Sequence, residues 1–293
     1  MALRKLKIAP GTLAIWKSVI SVTTRKPAIF LPFCFIAALE VVVLFLLCQS
    51  PHAPLNIIMG PPIRRIWGQV YMHYPFFYEL LPRLFYYAKI FLGIFFGSVT
   101  TGMAICAVSL ARKGEPVDLK DIFRQVLRRY LTLIVLTSIL YVAVHILMKQ
   151  PSQLLFKYFR GGHAKLLFLG PKFWVTFFIP VLNFLLAVVL QGLFVYTIPY
   201  VVLKGKKFIP ALLLGMRLFL KLIPKTVFVV AIPMILYIPV TMLRNNIGLL
   251  ADKSSPEIVG LILFIGILIG TLIVDALITV ATTLIFIEET HEA

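Results

Sequence analysis

Apolar residues in this chain gather into long runs separated by short polar stretches. Six runs, about 28 to 48, 87 to 111, 130 to 148, 173 to 203, 225 to 243 and 258 to 287, are apolar nearly throughout. Each is near or above the roughly 20 residues that an α-helix needs to cross a bilayer. The pattern predicts an all-α, polytopic membrane protein of six transmembrane helices in a single domain over residues 1–293. At about 1.5 Å per residue the fourth and sixth runs reach about 45 Å, against about 30 Å of hydrocarbon, so they tilt, kink or protrude. Pro180 and Pro199 are the expected kink or end points in the fourth.

Between the runs the apolar spacing changes to that of an amphipathic helix. The clearest case opens at Asp118, a residue suited to an N-cap. Leu119, Ile122, Phe123, Val126, Leu127 and Tyr130 fall on one face; Lys120, Asp121, Arg124, Gln125, Arg128 and Arg129 fall on the other. Such a helix lies in the plane of the membrane interface. A second copy runs from Phe208 to Lys221 and a third from Pro10 to Thr24. Placing Pro10 on Pro210 also places Lys17 on Arg217, and Lys113-Gly114 matches Lys204-Gly205 as the exit from a span. The expectation is a threefold repeat of interfacial helix plus transmembrane hairpin, over about 9–112, 113–203 and 204–287.

Composition excludes a soluble globular protein: 60% of residues are hydrophobic and 14% charged, where soluble domains carry about 25% charged residues. The mean hydropathy is +0.98. Twenty-nine basic residues against 11 acidic give a net charge of +18, which in a soluble chain would suggest nucleic acid. Here the basic residues flank apolar spans, where topology and anionic lipid account for them, so nucleic acid is not an expected partner. The segments before span one, between spans two and three, and between spans four and five hold 18 Lys and Arg; the opposite side holds 11. The excess predicts that the first side is cytoplasmic, with both termini inside. Lys120, Arg124, Arg128, Arg129, Lys206, Lys207, Arg217 and Lys221 then form the surface toward anionic phospholipid.

The external loops, about 49 to 86, 149 to 172 and 244 to 257, shorten along the chain. The first is crowded with aromatics, Trp67, Tyr71, Tyr74, Phe76, Phe77, Tyr78, Phe85 and Tyr86, and reads as segments lying in the outer interface. Arg4, Lys5 and Lys7 before an apolar run imitate a signal peptide, but the run is of spanning length, no small-residue cleavage site follows, and Leu47 before Cys48 does not suit a lipoprotein signal. The segment is expected to be a retained first helix. Cys34, Cys48 and Cys106, an odd number without paired spacing, indicate neither a disulfide framework nor a zinc cluster.

Polar residues inside the spans are the candidates for function. Glu40 is 12 positions from Ala28, Asp275 is 12 from Ile287, Gln191 is 12 from Leu203, and Thr100 is about as far from the end of span two. A constant rise places all four in one layer about 18 Å from the inner boundary. One reading is a proton or substrate site, with two close carboxyls sharing a proton. The reading favoured by the lack of a Lys or Arg at that depth is hydrogen bonding between helices. Gly93, Gly97 and Thr101, and Gly266 and Gly270, have the four-residue spacing of helix packing. His52, His73, His145, His163 and His291 are scattered without metal spacing, and no catalytic motif is present, so the expectation is a non-enzyme without metal or cofactor.

The six spans and the Lys-Gly exits followed by amphipathic segments (Lys113-Gly114-Glu115 with Asp118 to Tyr130; Lys204-Gly205 with Ala211 to Lys221) resemble the membrane domain attached to some bacterial glycerophosphodiester phosphodiesterases and the related YciC-like inner-membrane proteins. The resemblance implies a bacterial inner-membrane location and a link to lipid metabolism. No phosphodiesterase domain is present in the sequence, so no catalytic residues carry over. The resulting expectation is a non-enzymatic membrane component in envelope lipid handling or transport, working with a protein partner or as a homo-oligomer. The alternative is a proton-coupled secondary transporter built on Glu40 and Asp275.

Overall fold

A computed structural model describes residues 11–160, 179–248, 250 and 255–291. The basic residues Arg4, Lys5 and Lys7, the loop residues 161–172 with His163, the start of the fourth run at 173–178, part of the third external loop and Glu292 lie outside the described residues. The described residues are all helical, without strands.

Helix α1 (Thr12–Arg25) is followed by a single tight turn, Pro27–Phe30, and then by α2 (Leu31–Cys48). Proline at 27 and 32 stands at the two helix starts, where its missing N–H has no partner to lose. Helix α3 (Leu55–Trp67) exposes Ile57, Ile58 and Ile66, as expected of an apolar face lying along an interface. Helix α4 (Phe76–Leu92) continues through a wide π-type turn, Gly93–Gly97, into α5 (Ser98–Lys113). Helices α6 (Leu119–Leu127) and α7 (Tyr130–Arg160) come next. They are followed by α8 (Ile179–Phe194) and α9 (Thr197–Val202). The chain then forms α10 (Phe208–Lys221), α11 (Ile223–Leu236) and α12 (Ile238–Asn245). Helix α13 (Ile258–Ile267), a second wide turn at Leu268–Asp275 and α14 (Ala276–His291) complete the order.

Among the described residues, five helical stretches are long and apolar enough to cross a membrane: Pro27–Cys48, Phe76–Lys113, Tyr130–Leu147, Pro180–Val202 and Ile258–Thr290. A sixth results only if a bent pair, α10 and α11 at 95°, counts as one span. Two expectations change. The second span begins at Phe76, 11 residues before the expected 87; Phe77, Leu80, Leu81 and Phe85 continue the buried face through Pro82 and Arg83. The expected fifth span, 225 to 243, is broken at Tyr237. Pro239 has no N–H for the carbonyl of Ile235, so the α-helical ladder stops there. In the fourth, Pro199 likewise leaves the carbonyl of Val195 unpaired, at the break between α8 and α9.

The three amphipathic segments are helices, α1, α6 and α10. The Asp118 carboxylate accepts from the Lys120 N–H at 2.8 Å and caps α6. Their apolar faces divide: Ile122 and Val126 are buried in the bundle, while Phe123 and Leu127 remain exposed. On α10, Ala211, Leu218 and Phe219 are buried, and Ile209, Leu213 and Leu220 are exposed. Each helix therefore packs on protein by one edge and presents a second apolar edge outward, the arrangement an interfacial helix needs.

The core holds several apolar clusters, of which two are the largest. One gathers Ile105, Ile122, Leu133, Tyr196, Phe219 and Phe286. The other gathers Leu44, Phe77, Leu81, Val259 and Leu263. The break at Tyr237 serves the second of the small-residue stripes. The Tyr237 ring lies against Gly270, where a Cβ would stand 3.1 Å from it, and Val240 lies against Gly266. Gly270→Val is expected to cost about 1 to 3 kcal/mol by forcing that ring aside, read as a lower thermal midpoint in detergent that Tyr237→Ala partly restores. Equal midpoints for wild type and Gly270→Val would mean the notch is not tight. Gly93 accommodates the Tyr141 hydroxyl in the same way, whereas Gly97 has no side chain against it and faces a cavity.

Candidate functional site

Along the α4–α5 stretch and along the last span, polar residues fall between positions belonging to the two apolar clusters. On the last span the order is Ile267, then Thr271 and Asp275, then Val280. On the second it is Phe85, then Lys89 to Thr101, then Ile105. At that level lies a cavity of about 430 Å³. Glu40, Asp275, Gln191 and Thr100, the four residues placed in one layer by counting, all line it.

The carboxyls are not equivalent. Glu40 is 3% exposed, and its Oε2 accepts from the Thr271 hydroxyl at 2.7 Å. The Lys89 ammonium lies 3.5 Å from the same oxygen and donates to Thr271 Oγ1 at 3.1 Å. The three form a closed triangle in which Thr271 accepts from the cation and donates to the anion. Asp275, one turn beyond Thr271, is exposed to the cavity and makes no hydrogen bond or ion pair among the described residues. Among the described residues no hydrogen bond joins the two carboxyls.

Lys89 corrects the expectation that no basic residue lies at this depth. It was assigned to the edge of the second span because that span was begun at 87; with α4 beginning at Phe76, Lys89 sits 13 residues inside the helix, about 20 Å from its end. Burying this pair is tolerable because the attraction and the Thr271 hydroxyl together offset the lost hydration of both charges.

Both wide turns border the cavity. Gly93 and Gly97 come from the first, with Ser98 directly after it, and Thr271 and Asp275 come from the second. Widened turns leave carbonyls without their usual N–H partners, and hydroxyls fill in: Ser98 donates to the Ile94 carbonyl at 2.7 Å and Thr100 to that of Gly97 at 3.1 Å. Thr137 Oγ1, on α7, is buried at the wall without a partner. Most of the remaining lining is apolar, with Phe33, Leu140, Leu190 and Phe194 among it.

The basic residues predicted for the lipid surface separate into two groups. Lys120, Arg124, Arg128, Lys206, Lys207 and Arg217 are exposed. Arg129 instead turns inward: its guanidinium donates to the carbonyls of Val201 and Val202, capping α9. Lys221 is exposed but pairs with Glu289 at 3.1 Å, and Lys225 pairs with Glu288 and Glu289, so the acidic C-terminal turn is tied to α10 and α11. The cysteines are free, and no cluster of metal-ligating side chains occurs among the described residues. Compared with protein-family models, curated proteins and solved structures, the chain matches none.

Proposed function

We propose that this membrane protein is a non-enzymatic carrier whose central cavity holds an amphipathic solute with a cationic or hydrogen-bonding head. The observation that supports this is Asp275, a carboxyl that lines the cavity with no hydrogen bond or ion pair among the described residues, beside a Glu40 already paired with Lys89. With all three ionised the site has one net negative charge, which favours a cation or a proton. The apolar remainder of the wall suits a hydrocarbon body, in keeping with ligand sites in which few polar groups fix orientation. An intramembrane carboxyl without a structural partner marks a pathway more often than a packing contact.

In this proposal the protein lies in a bacterial inner membrane with both termini cytoplasmic, and its exposed basic residues rest on anionic phospholipid. Its three units of interfacial helix plus hairpin are read as repeats. The envelope-lipid setting rests on the resemblance to the phosphodiesterase membrane domain and the YciC-like proteins. A second reading, proton coupling at Asp275, is favoured by the same unpaired carboxyl; there the proton is the coupling ion, and Glu40 stays paired with Lys89.

The test is thiol access. With Cys34, Cys48 and Cys106 replaced by serine, Thr100→Cys is expected to react with a membrane-impermeant quaternary-ammonium methanethiosulfonate in both right-side-out and inverted vesicles. Reaction from both sides is the mark of a site presented alternately. Labelling from one side only tells against a carrier, and labelling from neither removes the cavity as a site.

A further inference from the structure

A second cavity, of about 220 Å³, lies where α5, α9 and α14 end. Its polar lining is Ser109 and Lys113 from α5, Gln125 from α6, Lys204 just past α9, and Thr290 from α14. Among the described residues no acidic side chain lines it. The nearest carboxyls in sequence, Glu288 and Glu289, are engaged by Lys221 and Lys225. Lys113 and Lys204 make neither an ion pair nor a hydrogen bond among the described residues.

The two Lys-Gly exits explain how the ammonium groups come to share one cavity. Gly114 and Gly205 adopt φ of 79° and 66°, the left-handed conformation that turns a chain away from a helix end and that other residues reach only at a cost. Each turn leaves the preceding lysine at the rim. Helix C-termini have partial negative charge and would ordinarily repel an anion. At two of the three ends carbonyls are occupied: Gly114 and Glu115 donate to Ala111 and Leu110, and Arg129 covers Val201 and Val202.

We propose that this cavity binds a phosphate group, with Lys113 and Lys204 supplying charge and Ser109 and Gln125 supplying hydrogen bonds. Two ammonium groups without counter-ions on one small polar cavity match the charge of a phosphate, for which lysine serves as a point-charge partner. The phosphate belongs either to a lipid headgroup at the membrane surface or to a free anion. The site is separate from the central cavity and does not depend on the carrier reading.

The experiment uses the full chain in vesicles of phosphatidylcholine doped with phosphatidic acid or with diacylglycerol, which lacks phosphate, and in detergent with inorganic phosphate. Lysine acylation is read by mass spectrometry. Lys113 and Lys204 are expected to be protected by phosphatidic acid and not by diacylglycerol, while Lys206 and Lys207 change little. Protection by inorganic phosphate alone assigns a free anion, and protection by the lipid alone assigns a headgroup. In parallel, Lys113→Gln with Lys204→Gln is expected to lower retained phosphatidic acid by about tenfold, the loss of one or two charge-assisted hydrogen bonds, while Lys206→Gln with Lys207→Gln, which removes the same charge from the diffuse lipid-facing surface, lowers it by about twofold at most. Equal loss from both pairs, or no selective protection in the unaltered protein, overturns the proposal.

Discussion

Lys89→Met is expected to lower the stability of the folded bundle by about 3 kcal/mol, the low end of what losing one partner of a buried ion pair costs. The low end applies because the lysine is 33% exposed while Glu40 is 3% exposed. What the substitution removes is small compared with what it leaves behind: a carboxylate between three helices with only the Thr271 hydroxyl to replace its hydration. A thermal midpoint lower by roughly 5 to 10 °C in detergent is the readout. Glu40→Gln in the same chain is expected to restore most of the loss, since an amide still accepts from Thr271 and has no charge to strand. If the double variant melts as low as Lys89→Met alone, the pair is not the cause and packing of the long side chain is.

The second large effect concerns charge at the central cavity. Asp275→Asn is expected to leave the thermal midpoint nearly unchanged, because the carboxyl has no hydrogen bond to lose, and to remove the preference of the site for cations. In the Thr100→Cys protein, the ratio of reaction rates for quaternary-ammonium and sulfonate methanethiosulfonates should fall by at least about tenfold. One unit charge about 10 Å away at an effective permittivity near 20 contributes about 1.7 kcal/mol, of opposite sign for the two reagents; water in the cavity screens part of it. An unchanged ratio would show that Asp275 does not set the field there. A collapsed midpoint would show that it is a packing residue, which would end its role as the unpaired group of a carrier.

The central layer was legible because a helix advances by a constant rise. Counting residues from span ends brought Glu40, Asp275, Gln191 and Thr100 to one level without any contact being known. Lys89 escaped the count for a local reason. Pro82 and Arg83 interrupt an apolar window, and the aromatics from Phe76 to Tyr87 read equally well as an interface segment. The signal that would have found it is the spacing of Phe77, Leu80, Leu81, Phe85 and Leu92, which keeps one buried face through the interruption. Helix type and the N-cap at Asp118 follow from local chemistry. The inward turn of Arg129 does not, because its acceptors, Val201 and Val202, are more than 70 positions away in the chain and nothing nearby announces them. The same holds for Tyr237, whose place against Gly270 depends on a break that the sequence marks only by Pro239.

The two wide turns have a bearing on how the helices keep phase. An α-helix advances about 100° per residue, so a turn holding one extra residue rotates everything beyond it by that amount relative to an unbroken helix. In the second span Gly93–Gly97 stands between Lys89 and Thr100; at ordinary pitch the 11 positions between them make three turns plus about 20°, so the surplus residue swings Thr100 roughly 80° from the azimuth of Lys89, and the two line the same cavity from different sides of the helix. In the last span the wide turn itself bears Thr271 and Asp275. The azimuth of Ser98, Thr100 and Thr101, all beyond the first wide turn, is therefore offset from that of an unbroken helix, like the offset between two gear teeth. Excising one residue from Gly93–Gly97 would leave the hydropathy of the span almost untouched and dial half of its length away from the centre.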